Sequence, residues 1–430
     1  MSTAYILIAF AIIIILMVVL ISKFKVHAAF GILLAGIALA IALKTPWAEI
    51  EGAINSGFSG TIKSVGIVIF LGCVLGTILE RTGAAQRITL SSIKLFGEKR
   101  IDWGIAFSAF ILGIAIWADT VVILLIPIVS NIAVKTKKSM MSLGTTLYLG
   151  ALVTASLVPP TPGPVSAAGL LGLPVGQAII WGLIVSVPSV IAATLYTKNI
   201  KEFVAPKEEY LLEHSKTEAN VLPNIGKSLM PILIPLVLIM LNTGINLIAK
   251  GSAIGNFFAF IGSPLAALLS GCILALILTG PKWKSKEVLN DWVESGIGAA
   301  AMPIIVTGMG GVLATFVKSS GVADKIAELV AASSIPGILV PILIACLIHV
   351  VTGSNALGVM TAAALVQPMM GTLGISPLAT FLACGTGALM FKHANSSGFW
   401  VTVTMSNMNV NQGIRAVGVA STIAGGTGAI

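Results

Sequence analysis

The sequence contains very little charge. Of its 430 residues, 57% are hydrophobic and only 10% are charged, whereas a soluble domain carries about 25% charged residues. Because so small a number of charges cannot hydrate a globule of this size, lipid is expected to surround most of its surface. Lysine and arginine nevertheless give a net charge of +9. They occupy short loops between apolar runs, which is typical of cytoplasmic loops in membrane proteins, and no nucleic-acid partner is expected.

Cysteine and histidine are also scarce, with four of each. The cysteines lie inside apolar runs without CxxC spacing, so they are expected to pack as small hydrophobic residues. The histidines have no metal-binding spacing, and the sequence contains no HExxH motif of the kind that a membrane hydrolase could use. We therefore expect no cofactor, no resident metal and no enzymatic activity.

Long apolar runs are the dominant feature of the chain. A helix needs about 20 apolar residues to cross the hydrocarbon core of a bilayer. The runs, three of which contain internal breaks, predict an all-α polytopic membrane protein of about 10 to 14 helices. They cover residues 4–22, 27–43, 62–79, 103–134, 142–172, 177–195, 229–248, 255–279, 297–317, 337–370, 377–391 and 398–424.

The two halves of the sequence resemble each other. Residues 72–88 lie 238 positions before residues 310–326, and seven of the seventeen positions are identical without a gap. A second pairing follows at nearly the same offset: Gly-Ala-Leu at 150–152 precedes a polar break, and Gly-Ala-Leu at 387–389 precedes another. Two matches in the same order predict an internal repeat.

The basic residues suggest how the two copies are oriented. Five lie within or just after the first repeated segment, and only Lys318 and Lys325 lie at the matching place in the second copy. If basic loops are cytoplasmic, the copies face opposite sides, as in the inverted repeats of secondary transporters. We predict an N-terminal half at 1–196 (repeat core about 62–195), a polar cytoplasmic linker at 197–224 and a C-terminal half at 225–430 (repeat core about 297–430). The five basic residues in or after the first repeated segment are Arg81, Arg87, Lys94, Lys99 and Arg100.

Two polar breaks interrupt apolar runs of the first half. Unsatisfied backbone groups cost several kcal/mol in hydrocarbon, so such breaks indicate a site lined by protein or water. The break at 116–120 contains Asp119, the sole acidic residue of the run 104–134. An intramembrane carboxylate marks a proton, ion or substrate path, although Asp119 could instead cap the next helix. The break at 158–165 holds four prolines in six residues, and the N-terminus of the helix after it would attract an anion.

Two further breaks lie at 351–357 and 391–400 in the second half, and they offer hydroxyl and amide groups. Each could also be a plain turn. We take Asp119 as the candidate proton-coupling residue. The candidate substrate-binding residues, all in or beside the breaks, are Pro160, Thr161, Gly163, Ser166, Ser354, Asn355, His393, Asn395, Ser396 and Ser397.

Four segments together resemble the gluconate:proton symporter family of bacterial permeases: residues 72–88, 119–128, 157–164 and 393–400. The resemblance covers nearly the whole chain. It implies uptake of a small carboxylate such as a sugar acid, coupled to protons, across the bacterial cytoplasmic membrane by a protein with inverted repeats. One position departs from the family pattern, since Ser396 stands where an acidic residue is usual.

Our hypothesis is therefore an alternating-access symporter for a small anion in the lipid bilayer. The anion would bind between the proline-rich break and residues 395–397, Ser354 and Asn355 would recognise its hydroxyl groups, and Asp119 would carry the proton. A permease for D-serine or another small hydroxy or amino acid is an alternative. A sodium/proton exchanger is another, although it normally needs more than one intramembrane carboxylate. A homodimer is expected by analogy with similar architectures.

Overall fold

The computed structural model describes residues 3–211, 222–249, 251–319, 321–322, 325 and 336–430. Within them every regular element is helical. The helices are α1 (Thr3–Ser22), α2 (Ala28–Ala42), α3 (Trp47–Arg81), α4 (Ala84–Phe96), α5 (Ile101–Leu112), α6 (Ala118–Thr136), α7 (Met140–Leu157), α8 (Pro162–Leu171), α9 (Val175–Thr197), α10 (Ile225–Ile248), α11 (Ala253–Ile261), α12 (Pro264–Ile277), α13 (Val293–Ser319), α14 (Leu339–Thr352), α15 (Asn355–Val366), α16 (Pro377–Leu389), α17 (Ser397–Met405) and α18 (Val419–Ala429).

Shorter helical turns join some of these helices. A π-helical turn at Glu287–Trp292 leads into α13, and another at Ile414–Gly418 leads into α18. Turns at Gln367–Met369 and Met370–Leu373 extend α15. The remaining turns are Glu98–Arg100, Gly280–Lys284 and Val410–Gly413.

The helices have the length and composition of membrane spans. Seven described stretches are long and apolar enough to cross a bilayer, or eight if α11 and α12, bent by 57° to each other, form one span. Four shorter apolar segments of 10–17 residues lie in α1, α2, α14 and α16. The predicted all-α polytopic membrane fold is therefore confirmed.

Burial differs sharply among the spans and identifies the centre of the fold. In the most apolar 18 residues of Met140–Leu171, which contains α7 and α8, 94% of the residues are buried, whereas in those of Ile225–Asn246 in α10 only 33% are buried. α7 packs against α5, α6 and α9, and α8 packs against α3 and α15. An apolar helix that is covered on all sides belongs to the protein interior, while one with an open apolar face meets lipid. The proline-rich break between α7 and α8 thus lies at the core.

The helices recur along the chain with a nearly constant offset. α3 ends at Arg81 and α13 at Ser319, a difference of 319 − 81 = 238. α5 and α14 begin 339 − 101 = 238 residues apart, and α7 and α16 begin 377 − 140 = 237 residues apart. Contacts between the copies are reciprocal: α3 packs on its counterpart α13, α9 on its counterpart α18, α8 on α15, and α17 on α6. Such exchange is what a two-fold relationship between two copies produces.

The boundaries of the halves and the side of the linker stay predictions. Residues 212–221 of the predicted linker lie outside the described residues, as do most of residues 322–333 in the second copy. The described start of the linker is anchored to the helices. Ser139 donates a 2.8 Å hydrogen bond to the Glu202 carbonyl, and the Met140 amide donates one of 2.9 Å to the Val204 carbonyl.

Two glycines of α3 allow this helix to pack closely against the backbone of two of the helix breaks. Gly72 and Gly76 lie four residues apart, on one face of the helix. A Cβ atom at Gly76 would overlap the carbonyl oxygen of Ala115, and one at Gly72 would lie 2.8 Å from the carbonyl oxygen of Pro160. Both glycines belong to the repeated segment 72–88. The close approach of α3 to both breaks explains why side chains are missing at these positions.

Candidate substrate-binding cavity

Four interrupted helices meet at one cavity of about 350 Å³. The breaks lie between α5 and α6, α7 and α8, α14 and α15, and α16 and α17. Each break contributes to the wall, through Trp117, Thr161, Ser354 and Ser396 respectively. The sequence predicts the four breaks one by one, and the fold brings them together in one place.

The cavity is surrounded by helix N-termini. The first residues of α6, α8, α15 and α17 all line the cavity. They are Ala118, Pro162, Asn355 and Ser397. The first amides of a helix lack intrahelical acceptors and carry a partial positive charge, which favours an anion. No side-chain cap occupies the start of α6, α8 or α17. The cavity is therefore suited to a negatively charged ligand.

Asp119 is the one acidic residue among the described residues that line this cavity. It lies in the first turn of α6, whose N-cap is Trp117, so it does not cap the helix through its side chain. Its Oδ2 accepts a 2.8 Å hydrogen bond from the Ser397 hydroxyl. A Cβ atom at Gly398 would overlap Oδ1 of Asp119. Asp119 thus packs directly on the first turn of α17.

Lys392 is a buried residue of the site that the sequence analysis did not include. Its side chain lines the cavity with only 3% of the residue exposed. The ammonium group donates hydrogen bonds to Oδ1 of Asn355 and, at 3.4 Å, to the carbonyl oxygen of Gly353. In the sequence the residue follows an apolar run and precedes His393, which resembles a basic loop at a membrane face. Its burial follows from the fold of the break, and the neighbouring residue types do not reveal it.

Two hydroxyl groups in the cavity wall have no hydrogen-bond partner among the described residues other than each other. They belong to Tyr148, which is fully buried in α7, and to Ser396, which is 2% exposed. A buried polar group without a partner costs about 1–3 kcal/mol. Such a cost is recovered when a ligand oxygen accepts these donors. The cavity therefore offers two ready hydroxyl donors beside the Lys392 ammonium.

Most of the sequence-predicted site residues do line this cavity. Pro160 instead lines an adjoining cavity of about 220 Å³, which also contains Glu80 and Arg81. The two cavities share Trp117 and Thr161 among their walls, so they are neighbouring chambers. The predicted residues in the larger chamber are Asp119, Thr161, Gly163, Ser354, Asn355, Ser396 and Ser397.

Besides Pro160, three predicted residues do not line the larger chamber. The Ser166 hydroxyl is buried and lies 2.6 Å from the Thr307 hydroxyl, so it joins α8 to α13. His393 Nε2 lies 3.0 Å from the carbonyl oxygen of Val350, and the Asn395 side-chain amide donates to the same oxygen. These two side chains provide hydrogen-bond partners for a backbone carbonyl at the C-terminal end of α14. Their hydrogen bonds hold the break in shape.

Comparison with protein families identifies the kind of protein that has this architecture. The model for the GntP family permease matches residues 5–430. The chain belongs to the GntP permease family. The resemblance seen in the sequence is thereby confirmed, and the chain is a multi-pass membrane transporter, not an enzyme.

Individual relatives of the GntP family match over nearly their whole lengths. A gluconate permease of Pseudomonas aeruginosa is 31% identical over 95% of this chain and 92% of its own. A permease of Haemophilus influenzae described as uncharacterized is 31% identical over 96% of this chain and 88% of its own. Among solved structures, the YdaH transporter of Alcanivorax borkumensis, reported to have an unusual topology, aligns with a TM-score of 0.61. At 16% identity, covering 91% of this chain and 88% of the other, that likeness shows a shared fold.

Proposed function

We propose that this chain imports a small organic carboxylate of the sugar-acid class, gluconate or a close analogue, together with protons. Transport would proceed by alternating access across the bacterial cytoplasmic membrane. The observation that carries the proposal is the meeting of four helix N-termini around Asp119, the acidic residue of the cavity wall. The gluconate permease among the relatives supports the substrate class.

The wall of the cavity matches the two parts of a sugar acid. The uncapped first amides of α6 and α17 favour the carboxylate, and α8 adds the Gly163 amide, since Pro162 and Pro164 on either side of it have no N–H. The hydroxyl-bearing chain needs groups that both donate and accept hydrogen bonds. Ser156, Thr161, Ser354 and Asn355 supply such groups along the rest of the wall.

Proton coupling follows from the position of Asp119 beside the anion. Two like charges about 4 Å apart repel by roughly 4 kcal/mol at an effective dielectric constant of about 20. Since about 1.4 kcal/mol corresponds to a factor of ten in affinity, ionised Asp119 would strongly disfavour an anionic ligand. Protonation of Asp119 removes that repulsion. Substrate and proton therefore bind together, which is what symport requires.

A sodium-coupled mechanism is less favoured by the same wall. A dehydrated sodium ion needs several oxygen ligands, whereas Asp119 is the one carboxylate among the described lining residues and the Lys392 ammonium shares the cavity. The position of the linker on the cytoplasmic side rests on the basic residues that precede it. A homodimer stays a prediction by analogy.

Uptake of radiolabelled gluconate into proteoliposomes tests the proposed function. Vesicles containing purified, folded protein would receive an inward proton gradient, an inward sodium gradient or no gradient. We expect accumulation above equilibrium with the proton gradient alone. Accumulation driven by sodium alone would contradict the proton coupling. Absence of gluconate binding and uptake in all three conditions would contradict the substrate class.

A further inference from the structure

The charged side chains in the cavity wall form an opposite pair. Among the described residues that line the larger chamber, Asp119 is the one acid and Lys392 the one base. Asp119 comes from the break between α5 and α6, and Lys392 comes from the break between α16 and α17. Both residues line one cavity of about 350 Å³, so each charge acts on the other across it. With both ionised, the wall carries no net charge.

Lys392 has no carboxylate among its hydrogen-bond partners. Its ammonium group donates to the neutral oxygens of Asn355 and Gly353. An ammonium ion buried to this degree is normally paired or functional, because loss of hydration is unfavourable for a charge. The Asp119 carboxylate lies in the wall of the same cavity, but it accepts a hydrogen bond from Ser397 and not from Lys392. The positive charge is thus compensated at a distance and available to an anion.

Other titratable groups lie around this pair. Tyr148 of α7 lines the same cavity, and its hydroxyl lies beside Gly398, as does Oδ1 of Asp119. His349 of α14 has Nδ1 3.0 Å from the Met390 carbonyl oxygen, and His393 is held by the carbonyl oxygen of Val350. Neither histidine lines the cavity. Asp119 and Lys392 are therefore the two charged groups of the described wall.

We propose that Lys392 binds the substrate carboxylate and, together with Asp119, restricts this carrier to one negative charge per proton. The inference rests on the proposed function and deepens it. When Asp119 takes up a proton, the wall keeps the single positive charge of Lys392. One carboxylate then restores neutrality, so a monocarboxylate and a proton cross together without net charge. A dicarboxylate leaves an uncompensated negative charge in a site of low dielectric constant and is excluded.

The donors around Lys392 complete a carboxylate site. The Tyr148 and Ser396 hydroxyls are buried, belong to residues that line the same cavity, and have no partner among the described residues other than each other. A carboxylate has two oxygens that accept about four hydrogen bonds. The ammonium group supplies charge, and the two hydroxyls supply neutral donors. Hydrogen bonds from charged donors to a carboxylate are about twice as strong as neutral ones, so Lys392 is the dominant contact.

Ligand discrimination by the purified protein tests the inference. Binding of gluconate, of its six-carbon dicarboxylate analogue glucarate and of the neutral polyol glucitol would be measured by thermal shift and by competition against labelled gluconate. We expect wild-type protein to prefer gluconate over glucarate by at least about tenfold. We expect Lys392→Gln to weaken gluconate binding by at least about tenfold and to reduce its advantage over glucitol. Lys392→Arg keeps the charge and should recover part of the affinity.

Controls separate a binding role from a structural one. Lys282→Gln removes an exposed lysine from the turn Gly280–Lys284 and should leave all three affinities unchanged. If Lys392→Gln lowers thermal stability but binds gluconate with wild-type affinity, Lys392 is structural and the proposal is wrong. Should Lys392→Gln fail to fold, the glucarate comparison on wild-type protein still decides, since equal binding of gluconate and glucarate overturns the charge rule.

Transport by wild-type protein gives a second, independent readout. With no pH gradient, an imposed inside-positive or inside-negative membrane potential should not drive gluconate accumulation, because the transported charges cancel. Potential-driven accumulation would overturn the one-to-one balance while leaving the proposed function intact. Complete absence of gluconate uptake under a proton gradient would instead contradict the proposed function itself.

Discussion

The hydroxyl group of Ser397 donates a 2.8 Å hydrogen bond to Oδ2 of Asp119, although 278 residues separate the two in the chain. The bond joins the first turn of α17 to the first turn of α6, and thereby connects the two halves of the sequence. A hydroxyl donates more strongly to a carboxylate than to a carboxylic acid. Protonation of Asp119 therefore weakens a contact between the halves at the same moment as it admits an anion.

Replacing Asp119 with asparagine should uncouple transport from the proton gradient. The amide has nearly the same shape but cannot change charge, so the variant should still exchange internal for external gluconate while losing accumulation under an inward proton gradient. Counterflow and gradient-driven uptake in proteoliposomes measure the two activities separately. Glu98→Gln, in the exposed turn Glu98–Arg100, is the matched control and should behave as wild type. Normal accumulation by Asp119→Asn would remove Asp119 from the coupling step.

Removing the Ser396 hydroxyl should weaken substrate binding without unfolding the protein. This hydroxyl is buried in the cavity wall and has no partner among the described residues other than the Tyr148 hydroxyl, so its removal disturbs little else in the empty protein. Loss of one hydrogen bond to a charged ligand costs about 1.5–3 kcal/mol, or roughly a ten- to hundredfold rise in Kd. Titration of Ser396→Ala with gluconate, followed by thermal shift, measures the effect. An unchanged Kd would exclude Ser396 from the site.

Replacing Ser166 with alanine should lower stability without weakening substrate binding, the reverse of the effect expected for Ser396→Ala. The Ser166 hydroxyl contacts Thr307 at 2.6 Å and the Pro162 carbonyl at 2.6 Å, away from the cavity wall. Its loss should lower thermal stability, because the Thr307 hydroxyl loses a partner, while Kd for gluconate stays within about a factor of two. A large loss of affinity in this variant would mean that Ser166 reaches the substrate.

Adding a single methyl group at Gly398 should block the site. A Cβ atom there would overlap the Tyr148 hydroxyl oxygen and Oδ1 of Asp119. Gly398→Ala must displace one of the two groups, and we expect gluconate uptake to fall at least about tenfold, as for the loss of one charge-assisted hydrogen bond. Gly298→Ala in α13 is the control, since nothing lies within 4 Å of a Cβ atom there. Full activity of Gly398→Ala would show that the packing around Asp119 is not required.

The ion pair between Lys138 and Asp102 should contribute to stability but not to transport. Asp102 in α5 has a side chain only 5% exposed, while that of Lys138 is 32% exposed. Lys138→Met leaves the buried Asp102 carboxylate without its cation, so it should lower the Tm in detergent. The double variant with Asp102→Asn should recover much of the loss, since no charge is left buried alone. Unfolding curves measure both, and equal instability of single and double variants would argue against the pair.

Sequence patterns predicted the membrane fold and the four breaks because both depend on local composition. Runs of apolar residues have to cross lipid, and proline-rich or polar segments such as 158–165 cannot continue a helix. The breaks then contributed Asp119, Ser354, Asn355 and the pair at 396–397 to one cavity. Local chemistry therefore identifies most of the wall even though the distances along the chain are large.

Other parts of the site depend on packing that the sequence does not encode locally. Tyr148 lies in the middle of the apolar helix α7, where an aromatic residue is usually part of the core, yet its hydroxyl faces the cavity. Lys392 looks like a loop residue at a membrane face but is buried. His393 and Asn395, in contrast, have site-like chemistry and are used to satisfy the Val350 carbonyl. Which residues of a break face inward depends on the neighbouring helices.

Proton uptake on substrate binding is the most direct test of the joint site for proton and anion. Purified protein in weakly buffered detergent solution at mildly acidic pH would be mixed with gluconate while a pH indicator records protons removed from solution. We expect wild-type protein to take up roughly one proton per gluconate bound, and Asp119→Asn to take up none, because binding of the anion and protonation of Asp119 are linked. Saturating gluconate binding by wild-type protein without proton uptake would contradict the shared site.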